Sequence, residues 1–109
     1  MKLQELAEKL ELKGVTKVFE RDVTGVYISD MVSDVIANAK AGNLLVTVQI
    51  HNNVIAAANL VDISGIIVTQ GKMPTEDVVK MAEKAEITVF STNLSRWQVA
   101  TGLYEAGIR

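Results

Sequence analysis

The sequence predicts a three-layer α/β/α domain built on a mainly parallel sheet of four to five strands. Three observations predict it. Short, near-continuous runs of Val, Ile and Leu recur along the chain, as strands covered on both faces require. A segment with apolar residues at helical spacing follows most of these runs, the pattern of strand–helix–strand crossovers. The chain has 109 residues and no cysteine, enough for one domain, 1–109, with a core that needs no disulfide.

The elements follow in order. Leu3, Leu6, Ala7 and Leu10 share one helical face, so residues 2–11 read as a first helix, with Gly14 just beyond its end. Val15–Phe19 and Val26–Ile28 are short β-rich runs, one of which can be an edge strand or a loop. Ser29 or Asp30 is placed to cap a second helix with Met31, Val32, Val35, Ile36 and Ala39 as its apolar positions, closed by Ala41-Gly42-Asn43. Leu44–Ile50 reads as a strand. Asn52 or Asn53 opens a small-residue helix through Val61, apolar on most sides and therefore buried on most sides. Ile66–Val68 is a further strand. Pro74 suits the first turn of a helix, with Glu76 and Asp77 at its positive end and Val78, Val79, Met81, Ala82 and Ala85 facing inward. Ile87–Phe90 is a strand, and Leu94, Trp97, Ala100, Leu103 and Tyr104 mark the last helix. Val46, Val48, Ile66, Ile67, Val68, Val89 and Phe90 are expected in or near the core.

Composition excludes several function classes. Without cysteine there is no thiolate metal site and no cysteine nucleophile. A net charge of −2 and few aromatics leave no basic surface for nucleic acid. Residues 41–61 carry no charge but hold Asn43, Gln49, His51, Asn52, Asn53 and Asn59, too polar together for hydrocarbon. The N-terminal helix is charged rather than signal-like. The expectation is a cytoplasmic protein with neither membrane nor nucleic-acid partner. No glycine pattern matches a phosphate loop or a dinucleotide fingerprint, so no cofactor is expected.

In parallel sheets the ligand crevice lies past the carboxyl ends of the strands. The residues expected there are Ser29, Asp30, His51, Asn52, Thr69, Gln70, Gly71, Thr92 and Asn93. They are mostly neutral hydrogen-bonders beside helix starts, whose free N–H groups favour an anionic or nucleotide-like group. Capping alone also accounts for such residues. His51 is the only histidine, so a triad would need it beside a serine and an aspartate, and the spacing does not indicate one. Asp30 and Asp34, at i and i+4, could join His51 around a divalent cation, but helix capping by Asp30 and a solvated Asp34 explain them better. No catalytic or metal residue is assigned.

Leu44 to Leu103 resembles a DRTGG domain, a family named for an Asp-Arg pair after one strand and Thr-Gly-Gly after the next. Here LLVTVQI is followed by His51-Asn52 in place of Asp-Arg, and NVIAAANLVDISGIIVTQG ends in Thr69-Gln70-Gly71. A proline-led helix, the strand ITVFST and the helix NLSRWQVATGL follow in order, and Ser29 to Gly42 is similar to the preceding helix of the family. The resemblance implies an α/β fold like the N-terminal domain of HPr kinase/phosphorylase. It also implies the role of modules attached to phosphate acetyltransferases and to pyrophosphatases with CBS domains, where another domain does the chemistry. The expected function is therefore a non-catalytic regulatory module that binds a small metabolite or docks on a metabolic enzyme, and self-associates as a homodimer through surfaces that include the small apolar helix Val54–Val61 together with Tyr27, Trp97 and Tyr104. The alternatives are an assembly subunit without a ligand and a small hydrolase or transferase using His51.

Overall fold

The computed structural model describes residues 1–109. Five helices, α1 (Leu3–Lys9), α2 (Val32–Asn38), α3 (Asn52–Val61), α4 (Glu76–Lys84) and α5 (Arg96–Glu105), alternate with five strands, β1 (Lys13–Gly14), β2 (Gly25–Ile28), β3 (Asn43–Thr47), β4 (Gly65–Val68) and β5 (Val89–Ser91). The strand order is β1-β5-β4-β3-β2. β2 to β5 are mutually parallel, and only β1 runs antiparallel, against β5. No helix is long and apolar enough to cross a membrane.

Strand alternation sends the apolar side chains to two cores. Leu45, Ile66, Val68 and Val89 point to one face and meet Val35 of α2, Val54, Ile55, Ala57 and Ala58 of α3, and Val78 and Ala82 of α4. Leu44, Val46, Ile67 and Phe90 point to the other and meet Leu3, Leu6 and Ala7 of α1 with Val99 and Leu103 of α5. Three layers result, with α2, α3 and α4 on one side and α1 and α5 on the other. Against expectation, α3 is buried on one side only: Val54, Ile55, Ala57 and Ala58 enter the core, whereas Ala56 and Leu60 face solvent, so this helix offers little apolar surface for self-association beyond Leu60.

Several expectations are corrected, each for a local reason. Val15–Phe19 is not a strand. The sheet edge takes Lys13–Gly14 instead, and the following loop is held by Val15 and Thr16 N–H groups donating to the Val89 carbonyl and by Thr88 Oγ1 accepting from Phe19 N at 2.8 Å. β3 stops at Thr47, so Val48 is half-buried. Neither Ser29 nor Asp30 caps α2, whose N-cap is Met31; the Asp30 side chain is drawn to the sheet edge instead. Pro74 lies outside α4, whose cap is Thr75. Leu94 lies outside α5, which is capped by Ser95 in a reciprocal box with Gln98. Inside α5 the buried positions are Val99 and Leu103, while Trp97 and Tyr104 face solvent, and Met81 of α4 is also exposed.

Candidate functional site

The four parallel strands end on one edge, and the nine expected residues all lie along it. β2 runs out into Ser29 and Asp30, β3 leads through a short turn to His51 and Asn52, β4 into Thr69-Gln70-Gly71, and β5 into Thr92 and Asn93. They do not form one pocket. Strands in a sheet lie about 4.8 Å apart, which sets the β2 and β5 ends roughly 14 Å from each other.

At the β2 end the Asp30 carboxylate is a hub. Its Oδ1 accepts from the Thr47 hydroxyl at 3.0 Å and from Val48 N at 2.8 Å, and its Oδ2 accepts from Arg96. Arg96 opens α5, where the helix dipole disfavours a cation; the Asp30 partner offsets that. Both side chains stay partly open to solvent, 41% for Arg96 and 32% for Asp30. Arg96 was not among the residues expected from sequence. A cation directly after the Ser95 cap needs an anion, but nothing local in the sequence points to Asp30, 66 residues away, as its partner.

Asp34 is not simply solvated. Hydrogen bonds from Ser29, Asn38 and Tyr27, in that order of influence, hold its carboxyl below the usual carboxylate range. The Tyr27 hydroxyl donates to Asp34 Oδ1 at 2.8 Å, and the Asn38 amide does so at the same distance. Donating to that carboxylate raises the Tyr27 phenol, with some help from burial. Asp30 and Asp34 thus have separate partners, and no three His, Cys, Asp or Glu side chains come together.

In the middle of the edge, Thr69 is wholly buried, its N–H donating to the Thr47 carbonyl at 3.0 Å, so it acts within the sheet. Gln70 and Gly71 follow in left-handed conformation, φ +62° and +70°. Their N–H groups are spent on the Leu94 and Thr92 carbonyls, both at 2.9 Å, which locks this turn to the start of the next segment. The glycine of the Thr-x-Gly turn is favoured by φ; a Cβ there would stand 2.9 Å from Asn93 Oδ1, the end of an exposed side chain that can move aside. His51 and Asn52 are exposed at the α3 start, and the His51 side chain makes no capping bond.

At the β5 end lies an open groove of about 410 Å³, walled by Leu10, Glu11, Lys13, Gly71, Met73 and the 91–94 segment. It contains three of the expected residues, Gly71, Thr92 and Asn93. Lys13 reaches it because antiparallel β1 sets Lys13 beside Ser91. The edge as a whole therefore carries a cation near each end, Arg96 and Lys13, with hydrogen-bonding groups between. An anion stands beside each of these cations: Arg96 is paired with Asp30, and Glu11 lines the same groove as Lys13.

Among solved structures, the chain is similar to the CBS and DRTGG domains of the regulatory region of Clostridium perfringens pyrophosphatase, complexed with the activator diadenosine tetraphosphate. The TM-score is 0.69 at 17% identity; the match covers 91% of this chain and 44% of that one. The fold is therefore shared, and the present chain spans less than half the length of that regulatory region. No curated protein matches it. The DRTGG domain family matches residues 5–106. With a match across nearly its whole length, on a parallel sheet whose turns carry the family's spacing, the chain belongs to the DRTGG domain family.

Proposed function

We propose that this chain is a non-catalytic regulatory module of the cytoplasm that binds an extended anionic, nucleotide-like metabolite along the carboxyl-end edge and acts on a metabolic enzyme. The observation that carries this reading is the edge itself: four strand ends with Arg96 and Lys13 near opposite extremities and the 410 Å³ groove at one of them. Ser29, Asp30, His51, Asn52, Gln70, Gly71, Thr92 and Asn93 are the contacts proposed, with Thr69 holding the turn from beneath. The nucleotide activator of the similar pyrophosphatase region supports the ligand class. His51-Asn52 replaces the family's Asp-Arg pair, so Arg96 is proposed to supply the cationic contact at the β2 end. Self-association as a homodimer belongs to the same reading, supported by the exposed aromatics of α5.

Thermal-shift screening of nucleotides, dinucleoside polyphosphates, acyl phosphates and sugar phosphates tests it. A true ligand at one hundred times its Kd adds about 2.7 kcal/mol, which for a domain of this size raises Tm on the order of 10 °C. Arg96→Gln and Asn93→Ala are each expected to weaken such a ligand by about tenfold, or ~1.4 kcal/mol. A screen with no hit, or a hit indifferent to both substitutions, refutes the ligand reading.

A further inference from the structure

β2 is a free edge of the sheet, four residues long, with Lys40 and Arg109 among the residues of the groove beside it. It pairs only with β3, and its residues, Gly25–Ile28, include no charge and no proline. Monomeric proteins guard such edges with lysines, prolines, bulges or a covering segment. Beside β2 runs a groove of about 550 Å³ whose walls include Val26, Tyr27, Ile28, Ala100, Leu103 and Tyr104. On the outer face of α5, Trp97, Ala100 and Tyr104 form a stripe at i, i+3 and i+7. Trp97 is 75% exposed and Tyr104 59%, and Ile28 on the strand is 44% exposed. Arg109 stacks on the Tyr104 ring at 3.8 Å. A contiguous apolar surface of this kind marks an interaction site.

We infer that a second copy of this chain covers this face, β2 pairing antiparallel with its symmetry mate so that the sheet continues across a two-fold axis and the two α5 helices pack side by side. The inference rests on the self-association reading above and gives it a surface. The stripe on α5 is self-complementary. A two-fold axis between Ala100 and Thr101 sets Trp97 against the partner's Tyr104, large side chains flanking a small-residue centre. On β2, an axis between Val26 and Tyr27 pairs Gly25 with the partner's Ile28, an isologous contact of the commonest kind.

The spacing agrees. α5 touches β3 and walls the groove beside β2. With strands about 4.8 Å apart, a helix over the β2–β3 pair stands about 5 Å from the axis. Two such helices are then about 10 Å apart, the upper end of the 8–10 Å found for packed helices. The area is also of the right order. Aromatic side chains offer roughly 150–250 Å² each, so the exposed parts of Trp97 and Tyr104 supply about 300 Å² per copy. A specific interface needs roughly 600 Å² per copy, and the β2 edge and groove walls stand beside the aromatics to supply the rest.

Light scattering and cysteine cross-linking test this. The wild-type chain at high micromolar concentration is expected at twice its 11.8 kDa mass. Trp97→Arg, a change at an exposed position, is expected to return it to one chain with an unaltered far-ultraviolet circular dichroism spectrum. The protein has no cysteine, so introduced ones report cleanly. The double variant Trp97→Cys, Tyr104→Cys is expected to oxidise to a covalent dimer, and each single variant is not. Within one helix these positions are about 10 Å apart along the axis, too far for an internal disulfide. A wild-type mass of one chain overturns both this surface and self-association. A dimer that persists in Trp97→Arg, or that cross-links through a single cysteine as readily as through the pair, overturns the surface and leaves self-association standing.

Discussion

Tyr27 and Asp34 are a pair whose two titrations pull in opposite directions. The carboxyl is held low by hydrogen bonds from Ser29, Asn38 and Tyr27, so the folded state prefers it ionised. Its contribution is complete above the ordinary carboxylate value of 3.8 and is lost as pH falls through the lowered folded value. The phenol is held high, chiefly because it donates to Asp34, so the folded state prefers it neutral. That contribution is complete below 10.0 and is lost as pH rises through the raised value. Tyr27→Phe is expected to bring the Asp34 titration back toward the ordinary carboxylate value, followed by carboxyl chemical shift. A titration unmoved by Tyr27→Phe would mean that this hydrogen bond is not formed in solution. Gln70 is the other residue with a measurable consequence. It holds φ +62° where the family signature has glycine. A non-glycine residue in this region costs about 1–2 kcal/mol, and glycine returns roughly 0.5–1 kcal/mol of that through greater freedom of the unfolded chain. Gln70→Gly is therefore expected to stabilise the protein by about 0.5 kcal/mol in urea unfolding; a loss of stability would show that the Gln70 side chain makes a contact of its own.

At the scale of the element, apolar periodicity made the parallel strands and the helices legible, and the parts it missed lie where hydrogen bonds outrank burial. Val15–Phe19 has a strand's composition, yet only Val15 and Thr16 engage the Val89 carbonyl and the remainder loops away. β1 is Lys13–Gly14, which carries no apolar signal, because an edge strand this short is set by its partner rather than by its own side chains. α5 shows the same limit. Its five apolar positions are compatible with a buried stripe through Trp97 or through Val99, and the fit of Val99 and Leu103 among the side chains of the second core decides between them. Periodicity alone cannot distinguish an inner aromatic face from an outer one. The Ser95 box satisfies two N–H groups at the helix start, and Ser95→Ala is expected to cost about 1 kcal/mol. Amide hydrogen exchange should show the loss concentrated in the first turn of α5. Exchange unchanged there would mean that tertiary packing of Val99 and Leu103 alone holds the helix start.

For the whole molecule, the candidate edge was legible because strand direction follows from the buried, both-faced runs, and direction alone assigns which turns share an edge. What sequence could not supply was the charge placed there. Arg96 reaches Asp30 across 66 residues of chain, and Lys13 reaches the β5 end only through antiparallel β1, so neither pairing has a local pattern. The same sheet that gathers this edge also joins two separate cores. Ile66 and Ile67 are adjacent in sequence but point into opposite ones, toward α3 and α4 in the first case and α1 and α5 in the second. Neither core is closed without the shared strands, so the layers should not unfold independently. Ile66→Ala removes buried volume from the first core alone, at an expected cost of about 2–5 kcal/mol. Because β4 also carries Ile67, amides of α1 and α5 on the far side should lose exchange protection by the same free energy as those of α3 and α4. Ile67→Ala should act in mirror image. If Ile66→Ala instead leaves α1 and α5 protected while α3 and α4 open, the two faces are separate cooperative units. A ligand on the edge would then stabilise only the layers whose helix starts it touches.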